Sequence, residues 1–248
     1  MILEALNYAA TWPLTSATYR PFIRSSVNLW ARANRCRTAW AEHERQTKTA
    51  ILRAAEACRQ RRTAVVLGSG LLRDVPVVEL SRLFDTVVLV DLVHLASVRG
   101  WIMAKGRKNL RLIERDLSGL DAMLVGQAAE PLSFLRQVPY LDFVASANLL
   151  SQIGIGASRR LAGQPDEASL VRQVIAAHVE GLAQVPAATC LVTDVSYTII
   201  DRNGLRHETE DLMHGVDLGT PSSAWDWAVI PFGEESRDYQ IVHRVIVR

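Results

Sequence analysis

The residues whose types and spacing could do chemistry begin with two glycines. In "TAVVLGSGLLRDVPVVELSRLFDTVVLVDLVH" (63–94) an apolar run ends in Gly68-Ser69-Gly70, a helix-like segment comes next, and a second apolar run ends in Asp91-Leu92. Glycine at such a turn permits positive φ and lets a ligand approach the backbone closely. A carboxylate just past the next strand can accept hydrogen bonds from both hydroxyls of an adenosine ribose, although Asp91 is also placed to cap the segment after it. Asp116-Leu117 follow a third run, "LRLIERDLSG"; there a side chain can reach an adenine amino group or simply meet water. Asn148 ends a fourth run in "SANLLSQI", where it can orient a hydrogen bond or cap a helix. Together these positions outline a nucleoside site.

Two nucleoside classes are disfavoured by the residues after the turn, and a nicotinamide oxidoreductase ranks lower for that reason. A dinucleotide fingerprint needs a third glycine at position 73, and Arg73 is too bulky for the close helix–strand packing it serves. A Walker A loop needs Gly-Lys-Ser/Thr, and none is present. Asp74 is placed to cap the next helix, and Pro76 suits its first turn. Proton acceptors are sought in the long connection 196–227, because long loops at a ligand edge shape substrate pockets. It carries His207 and His214, whose imidazoles titrate near neutrality; each also reads as a surface histidine. His207 falls in "IIDRNGLRH", where Asn203-Gly204 predicts a small hairpin. His178 and His243 lie inside a helical and a strand-like run and are read as structural. Trp225 and Trp227 alternate on one strand face, as packing residues do.

The elements that must position these residues are legible in the periodicity. Strands are expected at 63–67, 86–90, 110–114, 142–147 and 189–195, with helices at 75–84, 92–104, 131–138 and 168–184 between them. Short, nearly uniform apolar strands alternating with helices predict a parallel sheet covered on both faces. "AWDWAVIPF" and "YQIVHRVIV" are joined too closely to be parallel and predict a terminal antiparallel hairpin. Residues 1–62 read as a helical extension and 63–248 as the α/β domain. In 20–60, Ile23, Val27 and Trp30 share one helical face.

A chain of 248 residues, 49% hydrophobic and 22% charged, suits one globular core. It has no apolar run of membrane-spanning length and no secretory leader pattern. Cys36, Cys58 and Cys190 stand far apart, which suggests neither a disulfide framework nor a zinc site and points to a cytoplasmic setting. The net charge of +2 hides a basic stretch at 20–62, with 11 Lys and Arg against 3 Asp and Glu. Such an arm suits an anionic partner or docks on its own acidic body.

From Thr63 to Ile153 these motifs resemble the class I S-adenosylmethionine-dependent methyltransferases. "VVLGSG" is similar to their first motif, "VLVD" to their second-strand acid, "ERDLSG" to their third-strand acid, and "LDFVASANLLSQI" to the fourth-strand segment of the small-molecule branch. The chain departs from the family pattern at Val66, where an acid is frequent, and at Leu72, where a third glycine is frequent. The resemblance implies an α/β fold with a seven-stranded, mostly parallel sheet, helices on both faces and an antiparallel terminal strand. It implies S-adenosylmethionine as cofactor, bound by Gly68, Ser69, Gly70, Asp91, Leu92, Asp116, Leu117 and Asn148. The amino-terminal helices are expected to cover that cleft. Arg20 there could pair with the methionine carboxylate or with an anionic acceptor through two parallel hydrogen bonds, or belong to a solvated basic face. The expected reaction is methyl transfer to oxygen or nitrogen of a small molecule, with His214, His207 or Asn148 assisting. An RNA-modifying enzyme using the basic arm, and a non-catalytic scaffold of the same fold, are the alternatives. A homodimer is compatible with all of them.

Overall fold

The computed structural model describes residues 1–248. Its helices are α1 (Ile2–Thr11), α2 (Ile23–Arg35), α3 (Arg37–Glu56), α4 (Val77–Leu83), α5 (Ala96–Ala104), α6 (Leu120–Leu124), α7 (Leu150–Leu161) and α8 (Glu167–Ala183). Its strands are β1 (Thr63–Leu67), β2 (Thr86–Asp91), β3 (Leu110–Glu114), β4 (Leu141–Ala147), β5 (Ala188–Asp201), β6 (Arg206–Asp211), β7 (Ser223–Ile230) and β8 (Tyr239–Val247). The strands form one 8-stranded sheet in the order β3-β2-β1-β4-β5-β8-β7, with β6 paired to β5 off that path. The first five are parallel, and β8 enters antiparallel between β5 and β7.

The uniformly apolar β1 lies at the centre with all five residues buried, as a strand covered on both faces must. One apolar layer joins Val66, Leu89, Phe143 and Val245 to Ile23, Val27 and Ile51 of α2 and α3. The opposite layer joins Val65, Val144 and Ile246 to α7 and α8. The basic stretch is therefore built into the body. Arg35 is held by Glu234 at 2.5 Å, Arg32 by Glu235, and Arg62 by Asp142 at 2.6 Å.

The sheet carries one strand more than the seven expected. β6 is the return arm of the hairpin that Asn203-Gly204 predicts, and it pairs with the outer half of β5, which runs well past the expected end at 195. The helix expected at 131–138 is instead a 3-10 turn, Ser133–Gln137. Pro131 and Pro139 bracket it and leave too little chain for a longer helix. The helices expected at 75–84 and 92–104 begin later, at Val77 and Ala96.

The junction that brings the helical extension into β1 is an ion pair. Asp142 Oδ2 accepts from Arg62 N at 2.7 Å and Nε at 3.0 Å, while Oδ1 accepts from Nη2 at 2.6 Å. These bonds hold the Asp142 carboxyl below its usual range. A depressed acid stabilises the fold above its unfolded pKa of about 3.9, and the benefit disappears as pH falls through the folded value. Asp142→Asn should therefore melt below wild type at neutral pH, with the gap shrinking below roughly pH 4 in thermal melts across a pH series.

Candidate functional site

The turn after β1 is pinned to β2. Gly68 N and Ser69 N both donate to Val90 O, at 2.9 and 3.3 Å. Gly68 and Gly70 adopt φ of +73° and +43°. A Cβ on Gly68 would stand 2.7 Å from Leu149 Cβ, whereas one on Gly70 would meet nothing nearer than 3.8 Å. The turn is thus packed against the β4 connection on one side and open on the other. Asp91 borders the open side without filling it: Oδ2 accepts from Gly70 N and Oδ1 from Leu92 N, each at 2.7 Å. Asp91 does not cap α5, whose cap is Leu95. Leu72 takes φ of 59°, so the position where the family often has glycine keeps a glycine-like backbone at the strain cost of a side chain.

Asn148 leaves β4 with φ of 48°, and its N donates to Val192 O at 2.8 Å. Its side-chain amide lies 2.6 Å from Asp74 Oδ2 and 3.2 Å from His43 Nε2. The capping roles open to Asp74 and Asn148 are taken by Pro76 and Leu149. His43, on α3, accepts from Trp225 Nε1 at 3.1 Å through Nδ1 and stacks on Trp227 with centroids 3.8 Å apart. Burial pushes His43 down to about 4, so its ring is neutral. A cavity of about 70 Å³ opens between the turn and this cluster, lined by Gly68, Gly70, Asp74, Asn148, His43 and Trp227 among others. Asn148 Oδ1 and Trp227 Nε1, on residues that line it, are buried without a protein partner, as is Ser69 Oγ within the turn. Unpaired buried polar atoms at one cavity suit a polar ligand.

Beyond Trp227 lies a second polar group. Asp194 of β5, 3% exposed, accepts from Ser151 Oγ through Oδ1 and from His243 Nδ1 through Oδ2, both at 2.5 Å. Burial pushes the Asp194 carboxyl up, but the His243 and Ser151 bonds outweigh it and hold the group below its usual range. His243 sits on β8 between Tyr197 and Trp227, its ring centroid 5.9 and 6.0 Å from theirs. With Nδ1 bonded to a carboxylate, a proton is fixed there, and in the neutral tautomer Nε2 is the atom that carries the lone pair.

The other expected residues scatter. Leu92 packs on the α2–α3 side of the core, and Leu117 is buried in the α7–α8 layer. Asp116 binds Ser118 N at 2.8 Å and Ser118 Oγ at 2.9 Å, while its own N–H donates to Tyr19 Oη at 3.2 Å. With Ser16 N donating to Glu114 Oε2 at 3.0 Å, Tyr19 holds the 3-10 segment Ala17–Phe22 across the end of β3. Arg20 is spent within its own segment, donating to Thr15 O at 3.2 Å and lying over Trp12; it holds no place at the cavity. His207 pairs with Asp201 at 2.9 Å near the far end of β5. That is about seven residues beyond Val192, roughly 23 Å of strand, so His207 is remote from the glycine turn. His214 lies in the turn after β6, where its neighbours Leu212 and Met213 pack in the α7–α8 layer, and it does not line the cavity.

Sequence reading misses His43, Asp194 and His243. Asp194 carries a usable signal, because it ends an apolar run as Asp91 does. His43 carries none: it is one polar residue in a polar helix, and its partners come from β7, about 180 residues away.

No family model matches the chain, and no curated protein matches it. Among solved structures, the DhpI–SAM–HEP complex shows 16% identity over 89% of this chain and 94% of that one, with a TM-score of 0.40. The YcgJ protein of Bacillus subtilis shows 11% over 80% and 96%, with a TM-score of 0.42. The N-methyltransferase NodS of Bradyrhizobium japonicum, bound to S-adenosylhomocysteine, shows 14% over 82% and 86%, with a TM-score of 0.39. Similarity at this level assigns no activity to this chain.

Proposed function

We propose that this chain is an S-adenosylmethionine-dependent methyltransferase acting on oxygen or nitrogen of a small molecule. The carrying observation is the open glycine turn whose Gly70 N–H is held by the Asp91 carboxylate beside a cavity of unpaired polar atoms. Supporting it is the insertion of β8 antiparallel beside β5, the sheet ending that the sequence resemblance implies. The residues fit the group. Gly68, Ser69, Gly70 and Asn148 would hold the amino-acid end, and Asp91 the ribose through lone pairs left on its two oxygens. A cavity of about 70 Å³ is well below the several hundred Å³ of a usual ligand pocket. The adenosine half would then extend outside it, towards Asp116, whose N–H donates to Tyr19 Oη of the segment Ala17–Phe22.

Bound there, the sulfonium supplies an electrophilic methyl group. The protein's own tasks are to align the acceptor and exclude water, which the Trp227–His43 stack and α3 are placed to do. An acceptor that must lose a proton needs a base; His243 lies outside the cavity lining as His214 does, but it is oriented by Asp194 and packs against Trp227 of that lining, and for that reason it is preferred here to His207 and His214. A small acceptor is favoured over RNA because Arg32, Arg35 and Arg62 are already committed to acids of the body. Calorimetry with S-adenosylmethionine and S-adenosylhomocysteine should give saturable binding. No heat from either at millimolar concentration sinks the reading.

A further inference from the structure

The hydrogen bonds around His43 fix where its proton sits. Trp225 Nε1 is only a donor, so His43 Nδ1 accepts and the neutral ring carries its proton on Nε2. That Nε2–H needs an acceptor, and the Asn148 amide stands 3.2 Å away. Asn148 Nδ2 is the atom placed against both His43 and Asp74, and two donors facing each other at His43 require the amide to be turned over, so that its oxygen meets His43. The same amide atom lies 2.6 Å from Asp74 Oδ2, and two oxygens at that distance share a proton. The amide nitrogen then takes the other amide position, the buried one without a protein partner. One assignment satisfies every contact: Trp225 donates to His43, His43 to Asn148, and a protonated Asp74 to Asn148.

We propose that Asp74 carries a proton in the free protein and seats the ligand's ammonium in place of the missing acid at Val66, releasing that proton as the ligand binds. This rests on the methyltransferase reading. Val66 is fully buried in the core and does not line the cavity, whereas Asp74 lines it beside Gly68, Gly70 and Asn148. Two ammonium N–H groups, one to Asp74 and one to Asn148 Oδ1, replace the single shared proton. The Asp74 O–H bond breaks, its electron pair stays on the carboxylate, and the proton leaves to solvent. The surroundings favour the neutral acid when the cavity is empty. Burial pushes the Asp74 carboxyl up and outweighs the hydrogen bonds from the Asn148 side chain and from backbone that pull it down; Glu44 on α3 adds to the rise and Lys48 opposes it. Arg73 on the same loop is committed to Glu44 at 2.6 Å, and His43 is neutral. A ligand cation reverses that balance.

Two measurements on the full chain test this. The infrared difference between wild type and Asp74→Asn without ligand should show a protonated-carboxyl C=O stretch at neutral pH. Its absence overturns the proposal whatever the ligand. Calorimetry of S-adenosylhomocysteine in buffers of unequal ionisation heat should show close to one proton released by wild type and none by Asp74→Asn. The variant should bind roughly 10- to 100-fold more weakly, yet melt near wild type, because its amide N–H can still donate to Asn148. Methylthioadenosine, which lacks the amino-acid end, should release no proton and should not discriminate the two proteins. Binding of S-adenosylhomocysteine without proton release overturns the ammonium seat but leaves the methyltransferase reading standing. No binding of either nucleoside overturns both.

Discussion

His243→Ala should lower kcat by a factor of about 10²–10⁴ with a proton-bearing acceptor, while S-adenosylhomocysteine binds as tightly as before. The size reflects what the ring is built to do. Its Nδ1 is tied to Asp194 at 2.5 Å, and Asp194 is held by Ser151 on its other oxygen. The tautomer and ring plane are thus fixed, and a buried carboxylate waits to stabilise the imidazolium that forms when Nε2 takes a proton. Asp194→Asn keeps a hydrogen-bond acceptor but removes the charge, so it should follow His243→Ala in kcat without a matching rise in KM. A purely structural pair would behave otherwise, lowering the melting point and leaving kcat per folded molecule intact. The sharper control is the acceptor. A nucleophile already ionised at the working pH needs no base, and its methylation should be indifferent to both substitutions. Equal losses with ionised and proton-bearing acceptors would remove His243 from the chemistry.

The unequal legibility of these groups has a physical cause. Gly68, Gly70 and Asp91 lie within one βαβ unit, where the period of the strands fixes which residue leaves at the carboxyl edge. Local pattern therefore suffices for them, and for all five parallel strands. His43, Asn148, Asp74, Trp225 and Trp227 meet only because α3 crosses the sheet and β8 inserts between β5 and β7. No window of sequence contains that meeting. The placement of His207 and His214 has a related cause. Both stand in the longest connection, and loop position suggests proximity to the ligand edge, but β5 continues to Asp201 and carries the hairpin tip with His207 away from the turn, whereas β6 returns the segment of His214 to the level of Val195. His243 reads as packing because it lies within a strand, yet a strand paired on both sides holds a ring more rigidly than a loop can. The caps expected at Asp74, Asp91 and Asn148 fail together. Asp74 and Asn148 bond each other, and Asp91 bonds Gly70 N and the adjacent Leu92 N, so none of the three is left to satisfy the first turn of a helix.

Gly68→Ala and Gly70→Ala should separate stability from binding within one turn. At Gly68 the backbone has φ of +73°, and the new methyl would stand 2.7 Å from Leu149 Cβ and 2.9 Å from Ala147 O. Neither neighbour is the free end of a flexible side chain, so the connection that carries Asn148 must move. Left-handed strain plus overpacking gives a loss of roughly 2–5 kcal/mol, which denaturant melts will read, together with loss of ligand affinity because Asn148 is displaced. At Gly70 the φ of +43° costs about 1 kcal/mol, and the methyl meets only Asp91 Oδ2 and Gly68 O, both at 3.8 Å. The fold should tolerate it. The ligand should not, since that methyl enters the one side of the turn left open, where Asp91 is to meet the ribose. Gly70→Ala with a modest drop in melting point and intact nucleoside binding would show that the open side faces solvent and not a cofactor.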